Sequence, residues 1–221
     1  ETPAGQVASL FQDRDLLSAA VVSTDGRLLG RITIDDVVDV IRDEADHSVM
    51  SMAGLDEGAG MFAGVLSSAR RRGVWLGVNL ATAFLAARVV GLFEATIEDV
   101  VALAVLMPIV ASMGGVAGTQ TLILMVRSLA LGRVEQANAR WFLAREISVA
   151  ALNGMAAATV VAAIAFLWFH DWKVSAVIFT AMVVNLFAAA LAGVIVPLTL
   201  KRFGVDPAVA GGVVVTTVTD V

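Results

Sequence analysis

The chain has 221 residues, of which 58% are hydrophobic and only 16% are charged. This composition excludes an ordinary soluble domain, in which about a quarter of the residues are charged. The sequence has no Cys and two His, which excludes disulfides, thiolate metal sites and imidazole-rich chemistry. It also lacks a zinc-binding helix motif and a phosphate-binding loop, so we do not expect an enzyme.

The net charge of −5 is unevenly distributed along the chain. Residues 1–57 carry twelve of the twenty acidic residues and four Arg, whereas the remainder has a balance of +3. An acidic polar piece therefore precedes an apolar membrane piece. The absence of a basic stripe argues against a nucleic-acid partner.

The first fifty residues predict a small α/β unit. A short helix is expected at 7–11, and two strands at 19–23 and 28–33 flank Asp25-Gly26. An Asp-Gly pair tolerates the positive φ angles of a tight hairpin turn. The segment therefore predicts a helix followed by a β-hairpin.

An acidic helix is predicted after the hairpin. Thr33 stands three positions before Asp36, an acidic variant of the capping box that starts a helix. Like charges at helical spacing repel one another, and hard oxygen ligands suit Mg²⁺ or Ca²⁺. Cation binding and a solvated acidic face both remain open. The acidic residues of this helix are Asp36, Asp39, Asp43, Glu44 and Asp46.

The remainder predicts a surface segment followed by membrane spans. Residues 61–68 have apolar positions on one helical face, which favours an amphipathic helix at the membrane surface that ends at Arg70–Arg72. About 20 apolar residues cross a membrane. The first four predicted spans are long enough to cross the membrane. The fifth is too short, because the chain ends before it reaches that length. The spans are expected at about 74–93, 100–126, 147–169, 174–200 and from 207.

The positions of Lys and Arg predict the orientation. Nine of them fall on the side of the acidic piece, and two fall on the other side. The positive-inside rule therefore places the N-terminal piece in the cytoplasm. The nine are Arg70, Arg71, Arg72, Arg127, Arg133, Arg140, Arg145, Lys201 and Arg202.

Polar and helix-weakening residues interrupt the apolar spans. Residues 108–121 contain Pro and three Gly, and they favour either function or close helix packing. Asn153 and Asn185 are weaker signals, because one Asn often bonds a neighbouring helix. Asp206 precedes Pro207 as a helix N-cap. Asp220 lies about 21 Å further along that helix, where a carboxylate without a partner costs several kcal/mol, so we expect it to face a cation or water.

Together these stretches resemble the MgtE family of magnesium channels. The resemblance rests on VVSTDGRLLGRITIDDVVDVI, MPIVASMGGVAGTQT and KRFGVDPAVAGGVVVTTVTDV. The first stretch also resembles the C-terminal half of a CBS-type domain. The implied fold is a mainly α-helical polytopic membrane protein, a five-span bundle with a truncated last span. The implied domains are a partial α/β CBS-type cytosolic piece at 1–48, a connecting plug helix at 49–72 and a pore domain at 73–221.

The resemblance also implies a function. It implies a homodimer in the lipid of the cell membrane that takes up Mg²⁺ through a pore and is gated by cytosolic Mg²⁺. Asp220 would bind Mg²⁺ in the pore, and Asp36, Asp39 and Glu44 would form the cytosolic sensor. The pore-lining positions would be Gly114, Gly115, Val116, Ala117, Gly118, Thr119, Gln120, Thr216 and Thr217.

Two other functions remain open. One is a carrier for another divalent ion such as Co²⁺ or Mn²⁺. The other is a nucleotide-sensing membrane module without transport, because CBS-type domains bind adenosine nucleotides. Thr33 and Asp36 would then bind ATP or AMP, although a helix cap explains both residues and is the favoured interpretation.

Overall fold

The computed structural model describes residues 2, 4–52, 55, 64–130 and 138–221. The chain divides into two compact units, Glu1–Ala63 and Gly64–Val221. Most described residues are helical, which confirms the prediction of a mainly α-helical membrane protein. The assignment of the first unit to a CBS-type domain, and the domain boundaries at 48 and 72, stay predictions.

The first unit is a hairpin flanked by two helices. Its elements are α1 (Ala4–Asp13), β1 (Ser18–Val22), β2 (Leu28–Thr33) and α2 (Ile34–Met52). The strands pair antiparallel, and Gly26 in the turn has φ of +77°, a conformation that glycine adopts without strain. The predicted helix and hairpin are therefore confirmed.

A small apolar core holds the first unit together. Phe11 of α1 is only 1% exposed and packs with Ala8 and with Val37 of α2. Ala19 and Ile32 of the two strands contact this cluster. The apolar faces of α1 and α2 therefore both pack against the side of the hairpin that carries Ala19 and Ile32.

The described residues of the second unit, 64–130 and 138–221, form six helices. Four of them, α3, α5, α6 and α7, are long and apolar enough to cross a membrane, and α8 has 14 residues. The predicted four complete spans and a shorter last helix are thus confirmed. The helices are α3 (Val65–Gly91), α4 (Glu94–Asp99), α5 (Val101–Ala130), α6 (Ala139–Phe169), α7 (Trp172–Arg202) and α8 (Pro207–Asp220).

The helix ends differ from the sequence prediction. Helix α3 begins nine residues before the predicted span and continues through Arg70–Arg72, because charged residues with good helix propensity extend a helix beyond its apolar part. The short helix α4 was not predicted. Of the predicted amphipathic helix at 61–68, residues 61–63 lie outside the described residues. Residues 65–68 belong to α3.

Helix α7 lies at the centre of the membrane unit. It packs along α5 and α6, and less extensively along α8. Met182 and Ala189, near the middle of α7, have no exposed surface. Leu106 of α5 and Ala165 of α6 meet Ile178 of α7 in one of the apolar clusters. Helices α5 and α8 also pack against each other.

Candidate functional site

Helices α5 and α8 pack against each other in antiparallel directions. A Cβ at Gly118 would lie 2.5 Å from Cγ1 of Val215, and a Cβ at Gly211 would lie 2.8 Å from Cδ1 of Leu122. The two contacts are four residues apart on each helix and run in opposite directions. Glycine at these positions lets the two backbones approach closely, as small residues do between membrane helices.

Asp220 is the last residue of α8 and its side chain is exposed. Its neighbour Thr219 is buried, and the hydroxyl oxygen of Thr219 would lie 3.9 Å from a Cβ at Gly115 of α5. The structure therefore places Asp220 at the level of the paired glycines of α5. The two parts of the sequence that predicted a pore are thus brought together within one chain.

Asp206 begins α8 as predicted. Its Oδ1 accepts a hydrogen bond of 2.8 Å from the backbone N–H of Ala208, and Pro207 occupies the first helical position. This confirms the N-cap. Asp206 and Asp220 lie fourteen residues apart, or about 21 Å along the helix axis.

The predicted pore-lining residues of α5 divide between two faces. Gly114 and Gly118 are buried against neighbouring helices, and close packing explains their small size. Val116 is 54% exposed, and Gln120 is also exposed. Gly115, Ala117 and Thr119 are half-buried between these faces. All seven residues, 114–120, remain pore predictions.

The threonines of α8 bond their own helix. The Thr216 hydroxyl donates to the carbonyls of Gly212 and Val213 at 3.0 Å each. The Thr217 hydroxyl donates to the carbonyl of Val213 at 2.7 Å. Both side chains are half-buried. Because each hydroxyl proton is engaged, what these side chains can offer an ion or its water shell is an oxygen lone pair.

Asn185 connects α7 to α5. Its Nδ2 donates a 2.7 Å hydrogen bond to the carbonyl of Val110, and its Cγ would lie 2.7 Å from a Cβ at Gly114. Asn185 is therefore an interhelical bonding residue, and Gly114 provides the room for its amide. Asn153, the other Asn noted within the predicted spans, is exposed on α6.

Sequence reasoning missed Glu146. This glutamate lies in the second turn of α6 with only 4% of its surface exposed, and it bonds Thr121 of α5 and Arg145. The available signal was an acidic residue inside a predominantly apolar helix, which marks a functional position by default.

The predicted cytosolic sensor residues lie on α2 in the first unit. Asp36 and Asp39 are exposed, and the side chain of Glu44 lies outside the described residues. Within the described part of the chain, no three carboxylate or imidazole groups converge to hold a metal ion. The sensor therefore stays a prediction.

Asp36 is engaged at the start of α2. Its Oδ2 accepts hydrogen bonds from the backbone N–H and the hydroxyl of Thr33, at 2.9 and 2.8 Å. These bonds, with the backbone one dominant, lower the pKa of Asp36 below its ordinary value because they favour the charged carboxylate. The predicted capping role of this pair is thus confirmed, while nucleotide binding by Thr33 and Asp36 stays a prediction.

The fold and the site define a polytopic membrane protein in which a carboxylate at the end of one helix lies beside a glycine-rich helix. The sequence model of the MgtE family, described as a divalent cation transporter, matches residues 107–221. The chain belongs to the MgtE family.

Curated relatives match nearly the whole chain. Magnesium transporter MgtE of Bacillus subtilis is 29% identical over 98% of this chain and 48% of its own length. The proteins of the same name from Enterococcus faecalis and Thermus thermophilus are 31% and 30% identical, over 97% and 100% of this chain and 47% and 49% of their own lengths. The chain spans about half the length of the curated relatives it matches.

Proposed function

We propose that the protein transports Mg²⁺ across the cell membrane through a pathway lined by α5 and α8. The observation that carries the proposal is the antiparallel packing of these helices, which sets Thr219, the residue before Asp220, beside Gly115. Mg²⁺ gives up its water reluctantly, so a carboxylate and nearby backbone carbonyls suit a hydrated ion. Membership of a family described as divalent cation transporters supports the same function.

A homodimer completes this pathway in our proposal. Val116 and Gln120 of α5, and Val214 and Val218 of α8, are exposed in the single chain. Pairing these faces across a two-fold axis would bring two Asp220 carboxylates to one ion. Two negative charges attract a divalent cation more strongly than a monovalent one.

Regulation by cytosolic Mg²⁺ is the third part of the proposal. The acidic residues of α2, including Asp36, Asp39 and Glu44, would bind Mg²⁺ when its cytosolic concentration is high. Mg²⁺ bound only in the closed state shifts the population toward that state by its differential affinity. The support is the charge of −8 on residues 1–57. The charge distribution also supports a cytoplasmic N-terminal unit.

The test is ion flux into proteoliposomes that contain the full-length protein. Asp220→Asn removes the charge at nearly constant volume, and Asp171→Asn is the matched control because Asn also caps helices well. Interactions with a charged group are worth roughly 1.5–3 kcal/mol, so flux at low Mg²⁺ should fall about tenfold or more in Asp220→Asn only. Equal flux in the two variants would overturn the pathway.

The same vesicles distinguish the remaining functions. Mg²⁺, Co²⁺ and Mn²⁺ are supplied one at a time. If Co²⁺ or Mn²⁺ crosses faster than Mg²⁺, that ion is the substrate instead of Mg²⁺. Wild-type vesicles without flux of any ion would overturn transport and favour a nucleotide-sensing module, which ATP binding would then test.

Mg²⁺ added on the side of the N-terminal unit should suppress flux, and Asp39→Asn should weaken that suppression. Suppression of equal size in both proteins would argue against the sensor.

A further inference from the structure

A buried carboxylate on α6 is hydrogen-bonded to α5. Oε2 of Glu146 accepts a 3.1 Å hydrogen bond from the hydroxyl of Thr121, and Oε1 lies 2.7 Å from Nη1 of Arg145. Glu146 and Thr121 are 4% and 6% exposed, whereas half of the Arg145 side chain is exposed. The arginine therefore neutralises the carboxylate while its own charge remains near the surface.

The burial of Glu146 argues for a role beyond packing. Glu146 lies seven residues into α6, about 10 Å along the axis, and Thr121 lies nine residues before the end of α5. Apolar side chains of similar size pack a helix interface at least as stably as buried charged groups do. A carboxylate buried in a predominantly apolar helix is costly and usually functional.

Thr121 lies where three helices meet. Its hydroxyl bonds Glu146 of α6, and its Cβ would lie 2.7 Å from a Cβ at Gly193 of α7. The carbonyl of Gly118, one turn earlier on α5, would lie 3.0 Å from that same atom. Thr121 therefore touches α6 and α7 close to the point where α5 packs against α8.

The bond at Thr121 adds a contact to a helix that α5 otherwise touches little. Helix α5 packs mainly against α7 and α8, and it meets α6 at far fewer positions. A hydrogen bond to a carboxylate is strong and directional. The bond at Thr121 fixes the rotation one turn away from Gly118.

We propose that Glu146 is a positioning residue that, through Thr121, sets the rotation of α5 and thereby aligns the exposed Val116 and Gln120 with Asp220. The proposal rests on the proposed function, because its consequence is a change in ion passage. Loss of the hydrogen bond should change the apparent affinity and the selectivity of the pathway for ions, as well as the amount of protein that folds.

The experiment compares flux in proteoliposomes of full-length protein, per amount of folded, monodisperse protein. The variants are Thr121→Val, which keeps the shape and removes the hydroxyl, Glu146→Gln, and the double variant. Thr121→Ser keeps the hydroxyl and should rescue. Thr180→Val is the control, because the Thr180 hydroxyl is exposed and donates only to the carbonyl of Ala176 in its own helix. The readouts are the half-saturating Mg²⁺ concentration and the ratio of Mg²⁺ to Co²⁺ flux.

We expect Thr121→Val and Glu146→Gln each to change these readouts, by up to about tenfold for a bond to a charged group, and the double variant to change no more than the larger single effect. Thr121→Ser and Thr180→Val should resemble wild type. Unchanged readouts in Thr121→Val and Glu146→Gln, or additive effects in the double variant, would overturn the positioning role while wild-type flux persists. Absent wild-type flux would instead overturn the proposed function, and the positioning role with it.

Discussion

Replacement of Gly118 by alanine tests the packing of α5 against α8. The new Cβ would lie 2.5 Å from Cγ1 of Val215, whereas carbon atoms in contact are roughly 3.5–4.0 Å apart. Val215 has no exposed surface, and Ala189 of α7 would lie 3.6 Å from the new atom. The helices must therefore separate by about 1 Å.

The expected cost follows from this overlap. Overpacking of a well-packed interior costs about 1–3 kcal/mol. Alanine recovers about 0.4–1 kcal/mol because it restricts the unfolded chain more than glycine does. The free energy of unfolding of Gly118→Ala should therefore fall by up to about 2.6 kcal/mol. The separation would also shift Asp220 relative to Gly115, so Mg²⁺ flux should fall too.

Reversible denaturant unfolding of the full-length protein in detergent measures the change. Gly77→Ala on α3 is the matched control, because nothing lies within 4 Å of its new Cβ. It should be neutral or stabilising. Val215→Ala combined with Gly118→Ala should restore part of the loss, since it removes the overlapping methyl group. A Gly118→Ala protein as stable as Gly77→Ala, or one that Val215→Ala does not rescue, would refute the packing described for these helices.

Three further predictions concern helix and turn positions. Asp206→Ala should lower the free energy of unfolding by about 0.5–2 kcal/mol and Asp206→Asn by much less, in the same unfolding assay; equal losses would contradict the N-cap. The bonds from Thr33 stabilise ionised Asp36, so this contribution is present above about pH 4 and is lost as the pH falls through the lowered pKa. The stability difference between wild type and Asp36→Asn should shrink over that range, and a difference independent of pH would count against it. Gly26→Ala should destabilise the hairpin by about 1 kcal/mol, because φ at Gly26 is +77°. Gly30→Ala should not destabilise it, and thermal melting of both variants tests this difference.

The sequence by itself determined the elements whose signals are local. Continuous apolar stretches identified the spans, because a bilayer demands about 20 such residues wherever they pack. Asp25-Gly26 located the hairpin turn, and Asp206-Pro207 located the start of α8, because turn and cap preferences depend on a few adjacent residues. The ends of α3 and α6 were misplaced, since hydropathy marks the apolar part of a helix and these helices continue into charged residues.

Only the tertiary structure decided which side each helix presents to its neighbours. The α5 stretch is apolar on all sides, so its sequence has no period that separates Gly114, which faces Asn185, from the exposed Val116. Glu146 follows Arg140 and Arg145 in the sequence, and its hydrogen-bond partner Thr121 is a residue 25 positions away. Contacts between residues so distant in sequence arise from packing around α7, and a single sequence carries no local signal for them.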